Sequence, residues 1–202
     1  MTLFSDCMFS RLTDTLRLWI LTLLIATLAI GAVPYARAAD AEVTSAKLET
    51  TEEGYRISTS FAFELSHGLV DAIAREIPLS FTTEVELTRP RWYWLDEKTI
   101  RSVQTVKIAY NPWTRQYTGT INSGLQQNFS SLEDALALVL RPRRWIVADK
   151  ASLTPGAVYN VAVKLKLDLS YLPKTFLITS LNNSDWRLSS DTKRFTFKAD
   201  DK

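Results

Sequence analysis

The stretch YNVAVKLKLDL, residues 159–169, decides the fold of this chain. Large apolar side chains occupy every second position, and the positions between them carry mostly polar ones, such as Asn160, Lys164 and Lys166. Successive side chains of a β-strand point to opposite faces, so this period of two predicts a strand with one face in the core and one in water. Strands with one solvent-exposed face exclude a purely parallel sheet, whose strands are apolar on both faces.

The same alternation recurs along the chain. It is clearest over residues 55–65 and 79–87, and Gly54 marks a hairpin turn from a preceding strand. Further strands are predicted, in chain order, at residues 44–50, 100–110, 115–121 and 144–148 and around Phe195 and Phe197. Strands that follow one another at hairpin spacing indicate antiparallel pairing.

Two short helices interrupt the strands. The first is predicted behind Ser66, a good N-cap, with apolar residues every four positions until Pro78 forbids continuation. The second is predicted to open with a capping box formed by Ser130 and Glu133, and to end at Pro142.

These elements predict one mainly β domain over residues 39–202, with α+β as the alternative class. Its architecture is an antiparallel β-sandwich or a curled half-barrel of about eight strands with two short helices. The tail, residues 199–202, is expected to fray.

The first 38 residues predict a secretory signal peptide. Arg11 and Arg17 precede an apolar run over residues 18–33, which is shorter than the roughly 20 residues that span a bilayer as a helix. Small residues follow at Ala38 and Ala39, where cleavage is expected. The mature protein is then periplasmic, without stable membrane insertion; an uncleaved inner-membrane anchor is the alternative.

The predicted cleavage removes Cys7, the only cysteine of the chain. A mature chain without thiols has no disulfide, thiolate metal site or cysteine nucleophile, and an exported domain without disulfides favours a Gram-negative periplasm. The single histidine, His67, argues against a zinc site, so no metal or cofactor is expected. The formal net charge of +2 falls to about +1 after cleavage, which argues against nucleic acid as a partner.

No catalytic residue is assigned, and a non-enzymatic protein is expected. A hydrolase using His67 with an unidentified serine and acid is the weakest alternative, because no Gly-x-Ser-x-Gly elbow is present and His67 fits a helix start. Glu84 and Glu86 have the spacing of one strand face, which predicts solvated surface rather than acid–base catalysis.

Aromatic and basic residues cluster at three places, residues 89–94, 110–117 and 141–145. Guanidinium groups beside large aromatic faces permit cation–π stacking, and Arg, Trp and Tyr dominate interface hot spots. The candidate binding residues are Arg89, Arg91, Trp92, Trp94, Trp113 and Arg115. The competing interpretation is that the aromatics close the ends of the sandwich beneath the apolar stems of the arginines.

A non-catalytic domain that binds an envelope or membrane protein is therefore the favoured function. A carrier of a small apolar ligand, held in a cavity between the sheets, is the main alternative. The sequence does not indicate the oligomeric state.

Several segments are similar to a family of exported Gram-negative proteins known only as a domain of unknown function behind a signal peptide. They are FAFELSHGLVDAIAREIPLSF (61–81), ELTRPRWYWLDEK (86–98), YNPWTRQY (110–117), SLEDAL (131–136), LDLSYLPKTF (167–176) and DWRLSS (185–190). The resemblance implies an envelope location and supplies no activity, cofactor or catalytic residue. It also implies an accessory role beside a membrane sensor kinase, because genes of this family often neighbour such a kinase and its response regulator.

Protein recovered from the envelope is expected to begin at about Ala39, because small residues occupy the positions that the signal peptidase reads. N-terminal sequencing of that protein checks the prediction. A first residue upstream of Leu18 would show that the leader is retained.

Overall fold

A computed structural model describes residues 40–90, 97–172, 176 and 184–200. The predicted signal peptide, residues 1–38, and the cleavage site at Ala38 and Ala39 lie outside these residues, so both stay predictions.

Ten β-strands and two α-helices form in the described part of the chain. The strands are β1 (Asp40–Thr50), β2 (Tyr55–Ala62), β3 (Leu79–Arg89), β4 (Glu97–Asn111), β5 (Gln116–Ile121), β6 (Gln126–Phe129), β7 (Trp145–Ala148), β8 (Val158–Leu167), β9 (Ser189–Ser190) and β10 (Lys193–Lys198). The α-helices are α1 (His67–Ala74) and α2 (Leu132–Leu140), and short 3-10 helices cover Lys150–Ser152, Leu169–Tyr171 and Ser184–Trp186.

The strands form one curled half-barrel sheet in the order β6-β5-β4-β3-β8-β9-β1-β2-β7, and β10 also pairs with β8. Neighbours pair antiparallel, except for a two-residue parallel contact between β1 and β9. The predicted mainly β, antiparallel class is confirmed. Strands β6 and β9 were not predicted, because one reads Gln-Gln-Asn-Phe without apolar alternation and the other has only two residues.

The core lies on one face of the sheet, over its central strands and beneath the two helices. Val85 of β3 is directly opposite Val163 of β8, and both are fully buried. Ile57 of β2, Leu69 of α1 and Val139 of α2 belong to the same hydrophobic cluster. The two helices thus bury their apolar sides against the sheet, as amphipathic helices do.

The predicted start of the first helix is confirmed, and that of the second is wrong by one residue. Ser66 Oγ accepts a hydrogen bond from the Leu69 amide at the start of α1. At α2 the cap is Ser131, whose Oγ accepts from the Asp134 amide at 3.1 Å, rather than Ser130. Both serines suit a cap, and starting at Ser131 places Ala135 on the buried side of the helix.

The expectation that the tail frays is wrong at Ala199. Its amide donates to the Ala157 carbonyl at 3.0 Å, and its carbonyl accepts from the Gly156 amide at 3.0 Å. The side chain is almost fully buried in the core. Ala199 is therefore held against the segment that leads into β8.

Glu84 and Glu86 lie on the sheet face opposite the core, as predicted, but Glu84 is not freely solvated. Lys166 Nζ lies 2.7 Å and Arg101 Nη2 3.0 Å from its carboxylate, whose side chain is only 18% exposed. The hydrogen bond from Lys166, with that from Arg101, holds the pKa of Glu84 below its ordinary value of 4.5. The carboxylate thus ties β3 to both of its neighbours.

Leu165→Ala is expected to lower the free energy of unfolding by about 3 kcal/mol, because it leaves a cavity in a fully buried layer. Leu125→Ala is the control, since that leucine is 88% exposed and its loss should change stability by less than about 0.5 kcal/mol. Urea unfolding followed by tryptophan fluorescence measures both. Equal losses would contradict this assignment of the core.

Glu84→Gln is expected to lower stability at pH 7 by about 0.5–1 kcal/mol, a small effect because its partners are partly exposed. A carboxyl with a lowered folded-state pKa stabilises above its unfolded-state pKa, and this contribution disappears as the pH falls through the folded-state value. The gap between wild type and variant should therefore begin to narrow below about pH 4.3, the ordinary pKa of a glutamate in the unfolded chain, and should be lost below the folded-state pKa. Denaturant unfolding across pH checks this, with Glu52→Gln in the exposed first turn as control. A gap that widens in acid would contradict the prediction.

Candidate binding site

The tip of the β4–β5 hairpin presents Trp113 and Arg115 to solvent. Asn111 Oδ1 accepts hydrogen bonds from the amides of Trp113 at 3.0 Å and Thr114 at 3.4 Å, which fixes the turn. Trp113 is 94% exposed, and Arg115, in the left-handed region at φ 55°, is exposed as well. Trp113 therefore does not close an end of the core.

The candidate binding residues do not all lie together. Arg89 pairs with Glu97 at the start of β4, whereas Trp113 follows the end of the same strand. The 15 residues of β4 span about 45 Å at roughly 3.3 Å per residue, so these two side chains belong to opposite ends of the sheet. Arg91, Trp92 and Trp94 lie outside the described residues, and their part in binding stays a prediction.

The third aromatic and basic cluster forms the link between α2 and β7. Pro142 ends the helix and is buried, and Trp145 is buried at the start of β7, opposite Ile57 of β2. Arg143 and Arg144 stand exposed between these two buried anchors. Arg144 has φ 54°, a left-handed conformation that is uncommon outside glycine and that costs about 1–3 kcal/mol.

This link and the outer face of β2 enclose a shallow groove of about 560 Å³, here called the arginine groove. It is lined by Arg56, Ser58, Pro142, Arg143 and Arg144. Because β7 pairs with β2, Arg56 lies opposite Ile146 of β7, the strand that follows Arg143 and Arg144. Three guanidinium groups thus line one opening.

The charge of the arginine groove is strongly positive for its size. Glu49 accepts from Arg56 Nη2 at 3.3 Å and from Lys47 Nζ at 3.0 Å, and these hydrogen bonds, chiefly that from Lys47, hold its pKa low. Arg143 and Arg144 form no ion pair or side-chain hydrogen bond with any described residue. Of the three guanidinium groups that line the groove, that of Arg56 is therefore paired with Glu49, and those of Arg143 and Arg144 keep their donors for another molecule.

A second groove, here called the apolar groove, lies between α2 and the β5–β6 hairpin and has a volume of about 670 Å³. Its lining residues are Ile121, Gln127, Phe129, Asp134, Ala137, Leu138, Leu140, Arg141 and Arg143. Arg143 lines both grooves, so they adjoin.

The side chains that line the arginine groove are chiefly hydrogen-bond donors. Among the described residues that line the arginine groove, Ser58 carries the one hydroxyl, and none of the others is a base that would activate it. His67 is exposed at the start of α1, and its side chain makes no hydrogen bond or ion pair with another described residue. Across the described ranges, no three metal-binding side chains gather.

Sequence reasoning named the 141–145 cluster but left its arginines out of the candidate list, and it missed Arg56. Arg56 occupies a solvent-facing position of the alternating strand β2, so its place in the pattern is that of an ordinary surface residue. Its role depends on the pairing of β2 with β7, which local periodicity does not specify.

No described helix is both long and apolar enough to cross a membrane. No curated protein and no solved structure is similar enough to the chain for comparison. A family model described as "Domain of unknown function (DUF4390)" matches residues 38–196. The resemblance to an uncharacterised family is thereby confirmed, and the chain belongs to the DUF4390 family.

Proposed function

We propose that this chain is a non-catalytic domain of the cell envelope that binds an acidic segment of a protein partner in the arginine groove. The observation that carries the proposal is the pair of exposed guanidinium groups of Arg143 and Arg144, unpaired with any described residue, beside Arg56. Their backbone is held by buried neighbours on both sides, so binding has to order the two side chains but little of the backbone.

Arginine suits carboxylates because its planar fork donates two parallel hydrogen bonds to the two oxygens. The chain as a whole is nearly neutral, so the positive field is local and matches a short acidic segment better than a nucleic acid backbone. The small volume of the groove also favours a few side chains over an extended polyanion.

The envelope location and an accessory role beside a sensor kinase are part of the proposal. They are supported by the leader-like first 38 residues and by what the family resemblance implies. The exposed Trp113 at the hairpin tip supports a second partner contact at the other end of β4 from Arg89. The carrier and hydrolase alternatives receive no comparable support from the described residues.

Arg143→Glu with Arg144→Glu is expected to weaken partner binding by about tenfold or more, since charge reversal replaces two attractive contacts by repulsion. Crosslinking in the envelope followed by pull-down identifies the partner in wild type, and its recovery is compared with that from the double variant. The remaining binding should weaken further as salt is raised.

The matched control is Lys107→Glu with Arg194→Glu, which changes the net charge equally at two exposed cations on other strands. The control should recover the partner at the wild-type level. Equal recovery from wild type and the Arg143/Arg144 variant, with the fold intact by circular dichroism, would refute the proposal.

A further inference from the structure

The apolar groove adjoins the arginine groove. The helix α2 forms a wall of the apolar groove, and the residues that follow the helix line the arginine groove. Arg143 lines both openings, and Arg141 lies at the same end of the apolar groove. A segment bound to the arginines therefore passes directly to the apolar surface offered by Phe129 and Leu138.

We propose that the two grooves form one bipartite site, in which the apolar groove receives a large apolar side chain of the same acidic partner segment. The inference rests on the proposed function and deepens it by specifying the partner motif. Carboxylates beside an apolar anchor are the complement of guanidinium groups beside an apolar groove.

The packing of α2 explains why this space exists. A Cβ atom on Gly119 of β5 would lie 2.5 Å from Leu138 Cδ1 and 3.2 Å from Phe129 Cε2, so a larger residue there would displace the Leu138 side chain, which packs directly over the glycine. Beside Leu138, the exposed and small Ala137 lines the groove without filling it. The apolar groove is thus bounded by the packed side chains of Leu138 and Phe129, and it stays open beside the small side chain of Ala137.

The ends of the apolar groove carry opposite charge, which orients the segment. Asp134 lies near the start of α2, and Arg141 and Arg143 follow its end. The carboxylates of the partner should therefore lie at the end with Arg141 and Arg143, because Asp134 repels them from the opposite end. At 1.5 Å per helical residue the two ends are about 10 Å apart, which is roughly three residues of extended chain.

The test exposes protein purified from the envelope to a displayed library of short random peptides. Enriched peptides are expected to carry clustered Asp or Glu within about three residues of Leu, Ile, Phe or Trp. Ala137→Trp, which fills the apolar groove, should weaken binding of an enriched peptide by about tenfold. Ala137→Met is the smaller second variant, and thermal unfolding confirms that both variants fold.

The matched control is Ala74→Trp, which places the same side chain at an exposed alanine of the other helix and should leave peptide binding unchanged. Enriched peptides that are acidic without an apolar residue, or unaffected by both Ala137 variants, would overturn the bipartite site and leave the proposed function standing. Absence of any enrichment, or binding unaffected by Arg143→Glu with Arg144→Glu, would overturn both.

Discussion

The pairing of β3 with β8 is the constraint on which the rest of the sheet depends. Residues 81–88 of β3 pair with residues 167–160 of β8, while β4 takes the other edge of β3 and β9 and β10 take that of β8. A slip of β3 by one residue against β8 would bring Glu84 to the core in place of Val85. The ion pairs of Glu84 on the outer face also depend on the observed register.

The candidate site forms away from this centre, at the edge strand β7. There the buried Trp145 attaches β7 to β2 and so places the link carrying Arg143 and Arg144 beside Arg56. Like charges in water repel one another only weakly, so an exposed edge tolerates unpaired guanidinium groups that a core would not. The buried centre of the sheet and the exposed edge with the candidate site therefore meet different physical demands.

The sequence predicted the strands whose faces differ sharply, because alternation is local and follows from burial of one face. It failed where the structure depends on partners distant in the chain. The polar β6 forms a strand because it pairs with β5 across a hairpin. Ala199 is held by backbone hydrogen bonds to Gly156 and Ala157, just before β8. Arg56 likewise had the pattern of ordinary surface until the pairing of β2 with β7 placed it in a groove.

The place of β8 in the chain also governs when the fold can form. Its partner β3 is separated from it by β4, β5, β6, α2 and β7, so the central pairing closes a long loop and should be slow. Until β8 has been synthesised, β3 lacks one of its two neighbouring strands, and the β3–β4 and β1–β2 parts of the sheet cannot be joined. If the chain is exported as proposed, this late closure would favour an unfolded precursor while the chain is carried across the membrane.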